Sequence, residues 1–446
     1  MARILIANMP LVGHITPALP IARTLVQRGH DVRWYTGARF QARVEATGAG
    51  FTPMVHAPHL DEDEIDRRNP ERAAASPVEK LKIDLKHSFG DSMPGQLRDF
   101  EELQRTWAPD VVLADPTVFG ATLYSERYGV PYATIGMLPL SLRSRDTAPF
   151  GLGILPDSSP LGRLRNSALN VAVEHLLFAD VQRHLQAVRA RAGFGPMRRF
   201  FLDSVSPYLY LQATVPAFEY PRSDLPPSVH FIGPLLGAPP QDTALPAWWG
   251  ELGAGRPVVH VTQGTVATEA EQLLAPTIEA LAGEDVLLVV TTGGQPVGRL
   301  PLGELPANVR VERFIPHPLL LPHVDVMVTN GGYGGVQTAL AHGVPLVVAG
   351  ASEDKPEVAC RVQWAGVGLN LRTATPSPEQ VREAVKRVLG DIRYAERARA
   401  LQREYAAYDA PQRAAALIEQ LAATRQPVLR THGAGVRALR PADLAR

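Results

Sequence analysis

The chain has 446 residues, a length typical of two or three domains. Its 45 Lys and Arg residues balance 45 Asp and Glu residues, and this zero net charge argues against nucleic acid or an anionic membrane as the main partner. The single cysteine, Cys360, excludes an internal disulfide and a cysteine-based zinc site, and no apolar run approaches the roughly 18 residues of a membrane span. We therefore expect a cytoplasmic enzyme.

Short apolar runs alternate along the chain with longer helical patterns. This alternation predicts an α/β protein with parallel sheets covered by helices. Strands are predicted in the first half at 3–8, 32–36, 111–115 and 132–137, and in the second half at 258–262, 286–291, 309–314, 324–329 and 346–349. Each half can therefore form a doubly wound, Rossmann-like sheet of its own.

The remaining segments organise these two halves. Residues 233–256 lack periodicity and are interpreted as a linker between a first domain, 1–232, and a second domain, 257–405. Residues 138–200 have irregular helical patterns and are expected to form a wall over a cleft. The consecutive acidic residues of 61–66 are interpreted as a solvated loop rather than a metal site. The polar stretch 427–446 is interpreted as a tail.

The first motif with chemical content follows the first strand. Here Gly13 and His14 precede a helix that we expect to begin with Thr16 as its cap. Ligands of open α/β sheets bind beyond the carboxyl ends of the strands, and the positive end of a helix favours a neutral imidazole. A neutral His14 can take a proton from a hydroxyl, although a loop histidine that only packs or caps fits the position equally well. One glycine in this turn does not make a dinucleotide fingerprint.

The second motif is Asp115, which ends an apolar strand predicted at the same edge of the same sheet. A carboxylate there can hold one ring nitrogen of His14 and stabilise its charged form, as the orienting residue of a triad does. The alternative is a turn or capping aspartate before Pro116.

The third motif is the predicted strand 324–329, which runs into a glycine-rich turn and then a helix. Glycines let the backbone approach a ligand closely, and a helix N-terminus offers N–H groups to a phosphate. A second such turn follows the predicted strand 258–262, which opens the second half. Two phosphate-binding turns at one sheet edge suit the two phosphates of a diphosphate. No Gly-Lys-Ser/Thr sequence follows, so neither is a Walker loop. The candidate residues are Asn330, Gly331, Gly332, Gly334 and Gly335 in the first turn, and Gly264 and Thr265 in the second.

The fourth motif places Asp354 and Lys355 between a strand end and a helix start. A carboxylate beside a phosphate cradle is repelled by the phosphates unless it faces sugar hydroxyls instead. Asp354 can equally well cap the helix that begins near Pro356. The other histidines, such as His260 within an apolar strand, are interpreted as core or surface residues.

These motifs together resemble the family 1 glycosyltransferases, especially the bacterial natural-product and macrolide glycosyltransferases of the UDP-glycosyltransferase superfamily. The resemblance runs from Gly13-His14 to the segment 314–368. It implies the GT-B fold, in which two Rossmann-like domains face each other across a cleft. The first domain would bind the acceptor and the second the nucleotide sugar, and a last helix within 406–426 would cross back to the first domain.

The resemblance also implies roles for single residues. His14 matches the catalytic base and Asp115 its partner, Phe314 an aromatic residue that stacks on the base, and His317 a residue whose backbone pairs with the base. Thr265 and the segment 330–335 match the diphosphate site, and Asp354 with Lys355 the pair that holds sugar hydroxyls.

Three positions depart from the family pattern. Asn330 stands for the usual His, and Lys355 for the usual Gln. Thr338 stands where a Glu usually holds the ribose hydroxyls, which hints at a deoxythymidine nucleotide, although Gln337 can serve a uridine ribose instead.

We therefore expect an inverting transferase that moves a hexose from UDP-glucose or a dTDP-sugar to a hydroxyl of a hydrophobic small molecule. The nucleotide sugar is a co-substrate, and neither a cofactor nor a metal ion is expected. One alternative is a nucleotide-sugar epimerase on the same fold. The other is a non-catalytic auxiliary protein, and the presence of both His14 and Asp115 disfavours this second alternative.

Overall fold

The computed structural model describes residues 1–58, 60, 66, 69–203, 206–237, 244–264, 272–296 and 304–430. Thr265, most of the acidic stretch 61–66 and the tail beyond residue 430 therefore lie outside the described residues.

Two parallel sheets organise the chain. Among the described residues, the first has seven strands in the order β3-β2-β1-β4-β5-β6-β7, and every neighbouring pair is parallel. Helices cover both faces of such a sheet, which explains why its central strands are continuous apolar runs. The strands are β1 Arg3–Ala7, β2 Asp31–Thr36, β3 Gly50–Pro53, β4 Val111–Ala114, β5 Tyr132–Gly136, β6 Leu209–Gln212 and β7 Val229–Phe231.

In the part of the chain that the structure describes, the second sheet has six strands, also all parallel, in the order β10-β9-β8-β11-β12-β13. These strands are β8 Val258–Thr262, β9 Leu287–Thr291, β10 Val309–Glu312, β11 Val326–Thr329, β12 Leu346–Val348 and β13 Gly368–Asn370.

The described helices are numbered here in chain order. In the first half they are α1 Val12–Ile15, α2 Leu19–Gln27, α3 Gln41–Glu45, α4 Pro70–Ala74, α5 Pro77–Ile83, α6 Met93–Thr106, α7 Gly120–Tyr128, α8 Pro160–Ala172 and α9 Ala179–Arg191. In the second half they are α10 Leu274–Leu281, α11 His317–Leu320, α12 Tyr333–Ala341, α13 Lys355–Ala365, α14 Pro378–Gly390, α15 Ile392–Ala406 and α16 Ala410–Thr424. The segments Asp84–Gly90 and Val173–Leu177 are π-helical. Within the described part of the chain, no helix combines the length and the apolar character that a bilayer crossing requires.

All nine predicted strands are present, within two residues at each end. The structure adds β3, β6, β7 and β13, which the sequence pattern did not predict. Three of these lie at sheet edges, where a strand needs only one neighbour and only a short apolar stretch. The predicted α/β class with two doubly wound sheets is confirmed.

The last helix of the described chain, α16, packs against the first sheet rather than the second. Its apolar residues Ala414, Ile418 and Leu421 belong to the same core as β1 and α2. On its outer side, Glu419 accepts hydrogen bonds from Arg28 Nε at 2.7 Å and His30 Nε2 at 2.6 Å. The chain therefore returns to its first domain after completing the second.

The strand order gives each sheet one crevice. The chain changes direction across the sheet between β1 and β4 in the first domain, and between β8 and β11 in the second. At such a point the loops that leave two adjacent strands turn to opposite faces and leave a gap for a ligand. His14 and Asp115 follow β1 and β4, and Gly264 and Asn330 follow β8 and β11, so both sets of predicted residues lie at these crevices.

Candidate active site

His14 lies in α1, the short helical turn that follows β1. The carbonyl of Leu11 accepts the backbone N–H groups of both His14 and Ile15 at 3.0 Å, and the turn therefore begins before His14 rather than after it. The predicted helix start at Thr16 is wrong, because the Thr16 side chain makes no capping bond and instead accepts from Arg43 at 3.0 Å. The His14 side chain is 18% exposed, enough for a substrate atom to reach its ring.

Asp115 follows β4 and is fully buried against the His14 ring. One carboxylate oxygen, Oδ2, accepts from His14 Nδ1 at 3.0 Å and from the Met9 backbone N–H at 2.8 Å. The other, Oδ1, accepts from the backbone and the hydroxyl of Thr117 at 2.7 and 2.5 Å. Burial raises the pKa of Asp115, but the charge and hydrogen bonds of His14, Thr117 and Met9 outweigh it and hold the pKa below its ordinary value. The carboxylate is therefore ionised at neutral pH.

This hydrogen bonding fixes the orientation and the tautomer of the imidazole. An ionised carboxylate can only accept, so His14 Nδ1 carries the proton and Nε2 holds the basic lone pair. Asp115 also offers a negative charge that stabilises the ring when Nε2 gains a proton. The pair has the arrangement of a general base with its orienting partner.

Two neighbours of this pair were not predicted from the sequence. Thr117 secures Asp115, and its position two residues after an aspartate is typical of a local side-chain-to-backbone turn. Phe89 places its ring 6.4 Å from the His14 ring, at an interplanar angle of 29°. It comes from the π-helical segment Asp84–Gly90, which no local sequence signal ties to His14.

The second crevice is lined by the glycine-rich start of α12. The N-cap residue of this helix, Gly332, has no side chain to cap it, and the first-turn N–H groups have no partner within the helix. Among the described residues, a Cβ atom added at Gly334 or Gly335 would meet nothing within 4 Å, so these residues leave the space above the helix start open. Open space, free helical N–H groups and positive helix potential are what a phosphate requires.

Asn330 and Gly331 shape the turn that leads into α12. The Asn330 side chain donates to the carbonyl of Gln263, next to Gly264 in the β8 turn, and accepts from the Gly332 N–H at 3.3 Å. Gly331 has a φ of +88°, and a Cβ atom there would lie 2.8 Å from the Val348 side chain. The two turns predicted as cradles therefore lie side by side, joined by the Asn330 amide.

Phe314 and His317 follow β10. The Phe314 ring is 68% exposed and borders a cavity of about 150 Å³ that Leu245, Pro246 and Leu319 also line. An exposed aromatic ring beside a cavity offers a stacking surface. His317 is half-buried, with its ring 5.5 Å from that of His260, and burial together with nearby His342 lowers its pKa to about 4.

Two adjacent residues of α12 face in different directions. The Thr338 hydroxyl is on the exposed side and donates to the Gly334 carbonyl at 2.7 Å. Gln337 is buried, donates to the carbonyl of Ala213 and accepts from Thr214 and Tyr405, both at 2.8 Å. The alternative that Gln337 serves a ribose is therefore wrong, because its amide is engaged between α12 and the segment that follows β6.

Asp354 occupies the N-cap position of α13, but its side chain makes no capping hydrogen bond, so the simple capping alternative is wrong. Lys355 Nζ donates to Ser352 at 3.2 Å and to Glu353. Glu353 has a left-handed φ of +57°, a conformation that costs a non-glycine residue about 1–3 kcal/mol and is concentrated at functional sites. Burial is the main reason that the pKa of Asp354 is raised to about 6.

The raised pKa of Asp354 predicts a pH dependence of stability. The pKa of Asp354 is about 6 in the folded protein and 3.8 in the unfolded chain. Between these two pH values the folded protein binds more protons than the unfolded chain does. The folded protein therefore loses stability as the pH rises from about 4 to about 6. Asp354→Asn should remove this loss, and the variant's denaturation midpoint should rise relative to the native one between pH 4 and about 7. In Asp391→Asn the difference should be flat above about pH 5, since hydrogen bonding from Arg393 lowers the pKa of Asp391 to about 2. A flat difference for Asp354→Asn as well would contradict the raised pKa.

Two Rossmann-like domains, each with a crevice where its strand order reverses, are the architecture of glycosyltransferases with the GT-B fold. Residues 276–421 match a family model whose description is "Erythromycin biosynthesis protein CIII-like, C-terminal domain". The crystal structure of the glycosyltransferase of kitacinnamycin superposes with a TM-score of 0.74, at 27% identity, over 94% of this chain and 98% of that one.

The chain belongs to the natural-product glycosyltransferases of the UDP-glycosyltransferase type, which use a nucleotide sugar. It is 49% identical to 4'-demethylrebeccamycin synthase of Lentzea aerocolonigenes over 94% of this chain and 99% of the relative. It is 36% identical to UDP-glycosyltransferase 2 of Phaeomoniella chlamydospora over 94% of this chain and 96% of the relative. The family and the GT-B fold that the resemblance implied are thus confirmed.

Proposed function

We propose that this glycosyltransferase moves a hexose from UDP-glucose or a dTDP-sugar to a hydroxyl of a hydrophobic small molecule, with inversion at the anomeric carbon. The observation that carries the proposal is the 3.0 Å contact between His14 Nδ1 and Asp115, at one crevice, while a glycine-lined helix start occupies the other.

His14 acts as the general base in this reaction. Its Nε2 atom removes the proton of the acceptor hydroxyl as the oxygen attacks the anomeric carbon on the face opposite the nucleotide. The imidazolium that forms is stabilised by the ionised Asp115, whose hydrogen bonds to Met9 and Thr117 hold it in place. Attack from the face opposite the leaving group gives the inverted product.

The second domain stabilises the leaving group. Negative charge grows on the diphosphate as the glycosidic bond breaks, and the N–H groups at the start of α12 are oriented to receive it. Asp354 and Lys355, at the start of α13, hold the sugar hydroxyls. Positive potential from the helix end makes a metal ion unnecessary for this step.

The donor and acceptor classes have separate support. The name of the Phaeomoniella relative specifies a UDP sugar, whereas Thr338 at the expected ribose position favours a deoxythymidine nucleotide. The name of the Lentzea relative specifies the synthesis of a natural product, which supports a small-molecule acceptor. The surroundings of His14 are apolar, with Val12 exposed and Leu11 and Phe89 half-buried, and they favour a hydrophobic one.

The test is product formation from each α-linked donor. The protein is incubated with UDP-glucose or dTDP-glucose and a panel of aromatic and polyketide hydroxyl compounds, and product linkage is read from the anomeric proton coupling by NMR. We expect a β-linked glycoside at an undiminished rate in excess EDTA. An α-linked product would contradict inversion, and loss of activity with EDTA would contradict the metal-free step.

A further inference from the structure

A cluster of two imidazoles and one carboxylate lies on the first domain, outside the site described above. His87 belongs to the π-helical segment Asp84–Gly90, Asp91 follows it directly, and His184 comes from α9. Asp91 accepts from His87 Nδ1 at 2.8 Å through one oxygen and from His184 Nε2 at 2.7 Å through the other. We call these three residues the surface triad.

The geometry of the surface triad suits a metal ion. One ligand atom from each residue can be chosen so that all lie within 4.8 Å of one another. Tetrahedral ligands at Zn²⁺ distances of about 2.0–2.1 Å are roughly 3.3 Å apart. An ion therefore needs the two imidazole–carboxylate contacts to open by about half an ångström, and the more widely separated ligand atoms to approach one another from within 4.8 Å. Each ring then uses the nitrogen that now faces Asp91 and carries its proton on the other nitrogen.

The backbone holds the two contributing segments in place. A Cβ atom at Gly90 would lie 2.6 Å from the Leu185 side chain, which shows how closely the π-helical segment packs against α9. Leu185 is fully buried, and Leu85 packs into the same core. The three side chains therefore project from a fixed scaffold, and little ordering is needed when an ion binds.

We propose that the surface triad binds a divalent transition-metal ion, with Zn²⁺ the best match, and that water completes the coordination. Two imidazoles and one carboxylate with an open position are typical of Zn²⁺ sites with three protein ligands. Mg²⁺ and Ca²⁺ prefer oxygen ligands and are poor matches. The bound ion links the π-helical segment to α9. Phe89, whose ring packs against His14, belongs to this π-helical segment.

This site is independent of the proposed sugar transfer. The ion stabilises one wall of the first crevice and takes no part in the reaction at His14. Chelation is therefore expected to lower the melting temperature while leaving the rate unchanged well below that temperature. Failure of the metal site leaves the transfer proposal intact, and the reverse also holds.

The test is calorimetric titration of the chelator-treated full chain with Zn²⁺, together with the visible absorption of added Co²⁺. One equivalent of Zn²⁺ should bind, and Co²⁺ should show the intense bands of a four-coordinate site. His87→Ala and His184→Ala should each weaken Zn²⁺ binding at least tenfold. The matched control is His56→Ala, which removes an exposed histidine that pairs with one carboxylate, Glu102, at 2.8 Å.

Thermal melting provides the second measurement. Zn²⁺ should raise the melting temperature of the native chain and the control but not of the His87→Ala/His184→Ala double variant, while Mg²⁺ should raise none of them. The proposal is overturned if the native chain binds no Zn²⁺, or if the double variant binds it as tightly as the native chain does.

Discussion

Replacing His14 by alanine should slow sugar transfer by about 10²- to 10⁴-fold, the usual contribution of a positioned general base. The acceptor hydroxyl must lose its proton as it attacks, and alanine leaves only water to receive it. Donor binding should be nearly unchanged, because the cradle at α12 belongs to the other domain. The measurements are kcat with a saturating acceptor and the dissociation constant of UDP or dTDP.

Asp115 provides a companion to this experiment. Asp115→Asn keeps the shape of the side chain but removes the charge that stabilises the imidazolium, so it should also lower kcat and leave nucleotide affinity unchanged. The control is His175→Ala, which removes an exposed histidine elsewhere on the first domain. Full turnover in His14→Ala would contradict the assignment of the base.

Replacing Arg361 by alanine should destabilise the protein by about 3–5 kcal/mol, the usual cost of leaving buried charges unpaired. Arg361 lies in α13 and is fully buried, with Nε 2.8 Å from Glu219 and Nη1 3.0 Å from Glu357. Its guanidinium also stacks 4.1 Å from the centre of the Tyr220 ring. The alanine variant would leave two carboxylates in the interior without their cation.

The same network joins the two domains. Glu357 accepts the backbone N–H groups of Gly151 and Gly153 at 3.0 and 2.9 Å, and Glu219 accepts that of Leu140 at 3.0 Å. Loss of Arg361 should therefore also loosen the segment 140–153.

Urea denaturation measures the effect of Arg361. Arg361→Lys keeps the charge without the planar fork and should give an intermediate loss. The control is Arg393→Ala, because Arg393 pairs with Asp391 on the surface with its side chain 80% exposed and should contribute little. Equal midpoints for Arg361→Ala and Arg393→Ala would show that the buried network does not stabilise the protein.

Much of the fold could be predicted because parallel strands buried on both faces leave continuous apolar runs. The edge strands β3, β7 and β13 were missed, since an edge strand needs few apolar residues. The start of α1 was also missed. There the Leu11 carbonyl, rather than a capping side chain, begins the helical turn.

The contact between His14 and Asp115 could be predicted because the carboxyl ends of neighbouring parallel strands share one sheet edge. Phe89 could not, since it reaches His14 from a π-helical segment far away in the chain. The sequence left a ribose role open for Gln337, because its orientation depends on the Ala213–Thr214 segment and Tyr405, which pack on α12 only in the folded chain. Arg361 has one local partner, Glu357, a single helical turn away, but its other partner, Glu219, is 142 residues away and could not be predicted.

The central claim is that the second crevice, at the start of α12, binds a nucleoside diphosphate sugar. Thermal stabilisation by nucleotides tests this claim most directly. UDP, dTDP, their glucose conjugates and NADH are compared without added metal. At 100 times its dissociation constant, a ligand adds about 2.7 kcal/mol of stability. Gly335→Asp should abolish the effect by placing a carboxylate in the open space at the helix start, whereas Gly195→Asp, on an exposed loop, should retain it.

We predict stabilisation by UDP or dTDP and none by NADH. No stabilisation by either diphosphate, the same stabilisation in Gly335→Asp, or stabilisation by NADH alone would contradict the account.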